Sequence, residues 1–92
     1  MSLYTIVMDY CGGTYIRQVR ATSPMTACRK WAKSLRPSDV YKLGETGKAD
    51  LITKLDFDKP VLLEDLTNAW CICASVRGQL AVINVVKTDP KD

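Results

Sequence analysis

Four cysteines are the most reactive side chains in this sequence, which contains no histidine. A zinc site built from cysteine needs paired C-x2-4-C spacings, and these four residues do not provide them. A nucleophilic thiolate needs a neighbouring base or positive charge. Cys11, however, lies two residues after the acidic Asp9, and Cys28 is predicted to be buried. We therefore predict no metal site and no catalytic cysteine, with all four thiols packing as small apolar groups: Cys11, Cys28, Cys71 and Cys73.

Acid–base catalysis has equally little support in the sequence. Histidine is the side chain that most often transfers protons near neutral pH, and it is absent. The acidic residues include no pair whose spacing predicts a shared cleft. We therefore predict a protein that is not an enzyme, with no catalytic residues and no cofactor.

The segment Gly44-Glu-Thr-Gly47-Lys48 resembles two phosphate-binding patterns without meeting either. A P-loop has four residues between its glycines and a Ser or Thr after its lysine, whereas here two residues intervene and Ala49 follows the lysine. A GXXG loop clamps a nucleic-acid backbone in KH domains, but Glu45 would then face the phosphates, and the predicted order of elements is not that of a KH domain. The segment is predicted to be a glycine-rich turn between two helices.

A helix is predicted from Pro24 to about Leu35. Ser23 is a favourable N-cap, and proline is favoured at the first helical position. Pro37 disfavours helical geometry in the residue before it. The apolar side chains recur at the spacing of one core-facing stripe: Ala27, Cys28, Trp31, Ala32 and Leu35. The opposite face is basic and projects outwards: Arg29, Lys30, Lys33 and Arg36.

This basic helix face makes nucleic-acid binding the alternative function. Such a stripe can follow a phosphate backbone, with Arg17 and Arg20 extending it and exposed Tyr4, Tyr10 or Tyr15 stacking on bases. Residues 1–42 carry seven Lys or Arg against two Asp or Glu, whereas residues 43–92 carry six against eight. These two halves can equally offset each other on one surface. The net charge of the whole chain is only +3, below that of a dedicated nucleic-acid-binding domain.

The most apolar stretch, Ala69 to Lys87, is predicted to form a β-hairpin around Gly78-Gln79, a Gly-first loop typical of type II′ turns. With that loop, Ile72 would pair with Val85. Because side chains alternate along a strand, one face of the hairpin is apolar and must belong to the core. The residues of that face are Trp70, Ile72, Ala74, Val76, Ala81, Ile83 and Val85.

The second face of this hairpin is mixed and almost without charge, with Arg77 alone at its tip. A strand that faces water usually alternates apolar and charged residues. We therefore expect another layer over this face, either the segment 38–66 or another subunit, for which a two-fold dimer is the commonest solution. We predict a binding module that forms a homo-oligomer or binds a partner protein through this face. The predicted interface residues are Cys71, Cys73, Leu80, Val82 and Val86.

A first hairpin is predicted over Leu3–Tyr10 and Thr14–Ala21, with Gly12-Gly13 as its loop, so that Tyr10 would pair with Tyr15. Alternation places Val7 and Ile16 on its outer, more polar side. The motif Gly-Gly-x-Tyr (Gly12, Gly13, Tyr15), followed through Ser23 by a helix, resembles the start of HicB-type antitoxins, whose small domains neutralise a partner toxin. The resemblance covers the first third of the chain. It implies a small protein that binds a protein partner.

These elements predict one α+β domain over residues 1–92, of order β-β-α-(α)-β-β. An antiparallel sheet of about four strands would be covered on one face by the main helix and by a short helix at 49–57, with a frayed tail at 88–92. No apolar run approaches the ~20 residues of a membrane span, and the N-terminus has no basic signal-peptide region, so we expect a cytoplasmic protein. The predicted core is Ile6, Met8, Tyr15, Val19, Trp31, Leu35, Trp70, Ile72, Val76, Ile83 and Val85.

Overall fold

A computed structural model describes residues 1–57, 61–62 and 67–88 of the chain. The described residues form a five-stranded antiparallel sheet and two α-helices, which confirms the predicted α+β class and adds one strand to the expected four. A 3₁₀ turn at Pro37–Asp39 lies between the helices. The elements in chain order are β1 (Ser2–Tyr10), β2 (Gly13–Ala21), α1 (Pro24–Ser34), α2 (Gly44–Phe57), β3 (Val61–Leu62), β4 (Ala69–Val76) and β5 (Gln79–Lys87).

Both long hairpins turn through a two-residue loop whose second residue is glycine. These loops are Cys11-Gly12, with φ angles of 48° and 82°, and Arg77-Gly78, with φ angles of 51° and 76°. Two consecutive positive φ angles define the type I′ turn, whose twist matches that of the flanking strands. The predicted loops, Gly12-Gly13 and Gly78-Gln79, are therefore wrong by one residue each.

The change of loop shifts the strand register of both hairpins by two residues. Tyr10 pairs with Gly13 rather than with Tyr15, and Ile72 pairs with Ile83 rather than with Val85. Side chains alternate with a period of two, so a shift of two residues changes the partners across the strands without moving any side chain to the other face. The predicted faces of both hairpins therefore hold for the paired strand residues even though their predicted pairs do not, and only Arg77, now in the loop, leaves its predicted face.

Strand β5 lies at the centre of the sheet, whose order is β2-β1-β5-β4-β3. Its inward side chains Ala81, Ile83 and Val85 are completely buried, and β-branched residues suit a strand that is packed and paired on both sides. The edges are β2, which carries Arg17 and Arg20, and the two-residue β3. Charged residues and short length are both features that limit unwanted pairing at a sheet edge.

Helix α1 begins where the sequence predicts. The Ser23 side chain accepts a hydrogen bond from the Thr26 backbone N–H at 3.1 Å, and Pro24 opens the helix. The predicted core-facing stripe is confirmed, since all five of its residues are buried. Trp31 is the largest fully buried side chain among the described residues, and it fills the space between α1 and the sheet.

Helix α2 is longer than predicted because Gly44 to Gly47 form its first turn rather than a break. The Gly47 N–H donates a 3.0 Å hydrogen bond to the Leu43 carbonyl. A Cβ atom at position 47 would lie 2.9 Å from the Leu43 Cδ1 atom, so glycine allows the helix to begin against this buried side chain. Leu51 and Leu55 are buried in the same core as α1, which places α2 on the same face of the sheet. Neither α1 nor α2, the α-helices of the described residues, is long and apolar enough to cross a membrane.

Most of the predicted core residues are buried, and Tyr15, Val19 and Trp70 are half-buried against the core. The expectation that Tyr4 and Tyr10 are exposed for base stacking is wrong, since their side chains are 4% and 2% exposed. Both lie on the inward face of β1, where alternation places them beside the other core residues. The Tyr4 ring packs against Trp70, with ring centroids 6.1 Å apart.

The end of β5 is joined to the start of β1. The Thr88 N–H donates a 2.8 Å hydrogen bond to the Leu3 carbonyl, and the Thr88 and Thr5 hydroxyls lie 2.9 Å apart. The other residues of the predicted tail, 89–92, lie outside the described residues, as do residues 58–60 and 63–66.

Candidate functional site

The sheet has one face packed by both α-helices and a second face on which neither helix lies. We call the second face the outer face. The sequence predicts that the segment 38–66 could cover the outer face. Within that segment, helix α2 packs on the inner face instead, so α2 does not provide this cover. Strand register places these side chains on the outer face: Leu3, Thr5, Val7, Asp9, Thr14, Ile16, Gln18, Arg20, Val61, Ala69, Cys71, Cys73, Ser75, Leu80, Val82, Asn84 and Val86.

All five predicted interface residues lie on the outer face. Cys73 pairs with Val82 across the strands, so these two side chains are neighbours near the middle of the hairpin. Leu80 is 64% exposed, Cys73 is also exposed, and Cys71, Val82 and Val86 are half-buried. The predicted patch is therefore a continuous surface that remains open to solvent.

The outer face extends beyond the predicted patch across all five strands. Val7 pairs with Ile16 on one side and with Asn84 on the other, and Val61 pairs with Cys71. One row of side chains therefore crosses the whole sheet in the order Ile16, Val7, Asn84, Cys71 and Val61. The alternation of the first hairpin already placed Val7 and Ile16 on its outer side, but their continuity with Cys71 depends on the β1–β5 pairing.

The outer face of the β4–β5 hairpin carries no Asp, Glu, Lys or Arg side chain. Arg77, predicted at its tip, turns away towards the helices, and its Nη1 atom donates to the carbonyls of Lys42 at 3.2 Å and Leu43 at 3.4 Å. The Arg77 backbone N–H is held by Asp50 Oδ2 at 3.0 Å. Arg77 leaves the face because the type I′ loop places it in the turn rather than at the end of a strand.

The remaining outer-face charges lie on β1 and β2. Asp9 accepts a 2.6 Å hydrogen bond from the Thr14 hydroxyl, which satisfies part of its carboxylate. Arg20 lies on the edge strand, opposite Leu3. The centre of the face is therefore neutral, and Asn84 is its most polar central side chain.

The four thiols are not in disulfides; Cys28 is buried and Cys11 and Cys71 are half-buried, but Cys73 is exposed, so the prediction that all four pack as small apolar groups is wrong for Cys73. Burial raises the pKa of the Cys28 thiol to about 12. Burial, with a smaller effect from the neighbouring Cys73, raises the pKa of Cys71, so Cys71 is less reactive than an ordinary thiol. Within the described ranges, no group of three or more His, Cys, Asp or Glu side chains is placed to hold a metal ion.

The predicted basic surface of α1 is only partly available to a ligand. The Arg29 Nε atom lies 3.6 Å from Asp56 Oδ1 of α2, and Lys30 Nζ donates to the Arg20 carbonyl at 2.6 Å. Lys33 and Arg36 are exposed. Arg29, Lys30 and Lys33 lie on α1, whereas Arg36 follows the end of the helix at Ser34, so the predicted helix face is wrong for Arg36. Arg29 and Lys30 already have partners within the protein.

No family model, curated protein or solved structure matches the chain. The resemblance of the first hairpin to HicB-type antitoxins thus remains a likeness of the first third of the sequence, without a family match. The geometry of the outer face and of the helix surface is what bears on function.

Proposed function

We propose that this protein is a cytoplasmic, non-enzymatic binding module whose outer face associates with the outer face of a second copy. The observation that supports this proposal is the row of neutral, largely apolar side chains that crosses five strands on the face opposite α1 and α2. Ile16, Val61 and Leu80 are each more than three-fifths exposed on this face. A large apolar patch of this kind usually marks an interface, because its burial releases water from apolar surface.

The dimensions of the face suit a modest dimer. Four strands of eight or nine residues rise about 3.3 Å per residue and each occupy about 4.8 Å across the sheet, and the two-residue β3 adds little. The projected area is therefore about 500 Å² per copy, or roughly 1,000 Å² for two copies, which is close to the smallest stable interfaces. We expect a dimer that dissociates on dilution.

The neutrality of the face favours a second copy over a charged partner. A two-fold axis brings the same patch of each copy together, so a charged patch would repel itself, whereas apolar side chains pack equally well against their own kind. Asn84 lies in the middle strand of the face, and its amide carries both a donor and an acceptor. A two-fold axis near Asn84 would therefore allow the two amides to bond to each other.

Light scattering on a size-exclusion column under reducing conditions tests the proposal over a range of protein concentrations. We expect a dimer that becomes a monomer on dilution, and a monomeric Val82→Glu variant, because the new carboxylate would be buried against its copy. Thr53→Glu, at an exposed position of α2, is the control and should dimerise like the unmodified protein. A monomer at every concentration, or a dimeric Val82→Glu variant, would refute the proposal.

Alkylation of Cys73 gives a second readout that needs no substitution. Cys73 is exposed on the outer face, whereas Cys11 lies in the hairpin loop. With site-resolved mass spectrometry, we expect iodoacetamide labelling of Cys73 to slow as protein concentration rises, while labelling of Cys11 keeps its rate. Equal behaviour of the two thiols would place the interface elsewhere and contradict the proposal.

Nucleic-acid binding through α1 is the second candidate function. It is supported by the exposure of Lys33 and Arg36, and it uses a surface different from the outer face. Retention on single-stranded nucleic acid should then fall steeply with salt, since binding releases counterions. We expect Lys33→Glu to weaken this retention and Thr53→Glu to weaken it less; absence of retention at low salt would exclude this function.

A further inference from the structure

Among the described residues, strand β2 pairs with β1 alone, so its other backbone edge is open and is not used by the outer-face association. Tyr10 and Gly13 flank the two-residue loop, and such flanking residues form a hydrogen-bonded pair. Hydrogen-bonded and non-hydrogen-bonded pairs alternate along antiparallel strands. The N–H and C=O groups of Thr14, Ile16 and Gln18 therefore point away from β1, towards the open edge of the sheet.

A cleft of about 250 Å³ lies beside this edge. Its first wall is the consecutive run Thr14–Arg17 of β2, and its second wall is the end of α1 with the turn that follows. The apolar residues of the second wall are Trp31, Leu35 and Val40, which are almost completely buried in the core, and the exposed Arg36 and Asp39 lie beside them. The cleft therefore combines backbone donors and acceptors on one side with apolar core edges and charged side chains on the other.

Tyr15 gives this cleft a fixed shape. Its ring is half-buried against the core, and its hydroxyl accepts a 2.9 Å hydrogen bond from the Tyr41 backbone N–H. This bond ties β2 to the turn before α2. The space between the two walls is accordingly maintained by the fold itself.

The charges at the cleft favour an acidic ligand. Arg17 and Arg36 both line it and are exposed, whereas Asp39 is the one acidic residue of its lining. Arg17 Nη1 donates to the Ser34 carbonyl at 3.2 Å and to the Ser34 hydroxyl at 3.1 Å, which holds the guanidinium against the end of α1. An arginine has five N–H donors, so this anchored guanidinium can still bind a carboxylate.

We infer that the edge of β2 binds an extended acidic peptide segment of a partner protein as a sixth strand. The peptide backbone pairs with the open edge, one apolar side chain enters the cleft, and a carboxylate binds Arg17 or Arg36. Alternating N–H and C=O groups are complementary to another peptide backbone, which is the basis of recognition by strand addition. A second copy fits this edge less well, since pairing β2 with itself would bring Arg17 and Arg20 of both copies along one another.

A fluorescence-anisotropy titration tests this inference with a labelled eight-residue peptide of alternating Val and Thr that ends in two Glu. We expect saturable binding of this peptide to the unmodified protein. A peptide of the same Val and Thr residues that ends in two Lys should bind at least tenfold more weakly. The Arg36→Glu variant should bind the acidic peptide at least tenfold more weakly. Amide shifts in NMR spectra should concentrate at Thr14, Ile16 and Gln18. No saturable binding up to millimolar peptide, or shifts confined to the outer-face residues of β4 and β5, would overturn the inference.

Two matched changes test whether the backbone edge itself is used. Ile16→Pro removes an N–H that points to the open edge, where proline is tolerated, and should abolish binding, whereas Ile16→Val keeps the N–H and should bind normally. N-methylation of alternate peptide residues blocks the same pairing from the ligand side and requires no change to the protein. Undiminished binding of the N-methylated peptide, or tighter binding of a single-stranded oligonucleotide at the same residues, would refute strand addition.

Discussion

The Tyr10 hydroxyl donates a 2.9 Å hydrogen bond to the Val76 carbonyl, across 66 positions of sequence and within the core. Tyr10 ends β1 and Val76 ends β4, and these two strands lie on opposite sides of β5. The bond therefore fastens together the loop ends of both hairpins. It also explains why a tyrosine can be almost completely buried at this position, since its hydroxyl keeps a partner.

Replacing Tyr10 with phenylalanine should lower the free energy of unfolding by about 1 kcal/mol, the usual net contribution of a hydrogen bond. The loss should stay near that size because the Val76 carbonyl keeps a second partner. Val76 and Gln79 flank the hairpin loop, and residues in these positions are joined by backbone hydrogen bonds. Urea unfolding measures the change. Tyr41→Phe, at an exposed position, is the control and should change stability by less than about 0.5 kcal/mol; equal effects of the two variants would contradict this role of the Tyr10 hydroxyl.

Gly12→Ala should destabilise the protein by about 1–2 kcal/mol, because its φ angle of 82° is unfavourable for a residue with a Cβ atom. No atom lies within 4 Å of the position that this Cβ would take, so the effect reports backbone conformation alone. Gly12→Asn should destabilise less, since asparagine tolerates this region better than alanine. Thermal or urea unfolding should therefore rank glycine above asparagine and asparagine above alanine; equal stability of the two variants would argue against the type I′ loop.

The stability of the protein should fall as pH rises above 9, partly because of Cys28. The unfolded chain loses this thiol proton near pH 9, whereas burial raises the pKa of the folded thiol to about 12. Between these values the unfolded state binds fewer protons, so the free energy of unfolding decreases by at most about 1.4 kcal/mol per pH unit. Burial raises the pKa of Tyr10 and Cys71 as well, so those groups act in the same direction.

Comparison with Cys28→Ala isolates the contribution of this thiol. The variant should be less stable at pH 7 because it leaves a small cavity, but its stability should fall less between pH 9 and 11. Urea unfolding at several pH values gives both slopes. Identical slopes in the two proteins would mean that Cys28 does not titrate differently on folding.

Local sequence patterns predicted the helices and strands of this fold better than the pairing between its strands. Ser23 and Pro24 mark the start of α1 because capping is a property of a few adjacent residues. The GETG segment carries the opposite local signal, since glycine is unfavourable in a helix, yet it forms the first turn of α2. Glycine fits at position 47 because a Cβ atom there would lie 2.9 Å from the Leu43 Cδ1 atom, and the sequence pattern contains no sign of that proximity.

The candidate interface also combines residues that local patterns predict with residues whose membership depends on tertiary structure. Cys71, Cys73 and Val82 are predictable from the sequence because their hairpin has an outer side almost without charge. Val7 and Ile16 have the same alternation but lie in a hairpin with more polar neighbours, so their membership depends on β1 being placed beside β5. The cleft beside β2 was not predictable, because it forms between a strand edge and a turn that follows α1.

The sequence by itself determined which side chains share a face, since a period of two survives any register shift of two residues. That is why the faces of both hairpins were predicted correctly with wrong loops, apart from Arg77, which the loop position moves off its face. Only the tertiary structure decided the loop positions, the strand order β2-β1-β5-β4-β3 and the packing of α2 on the inner face. These features depend on contacts between residues far apart in the chain, such as Tyr10 and Val76, and such contacts leave no periodic signal in the local sequence.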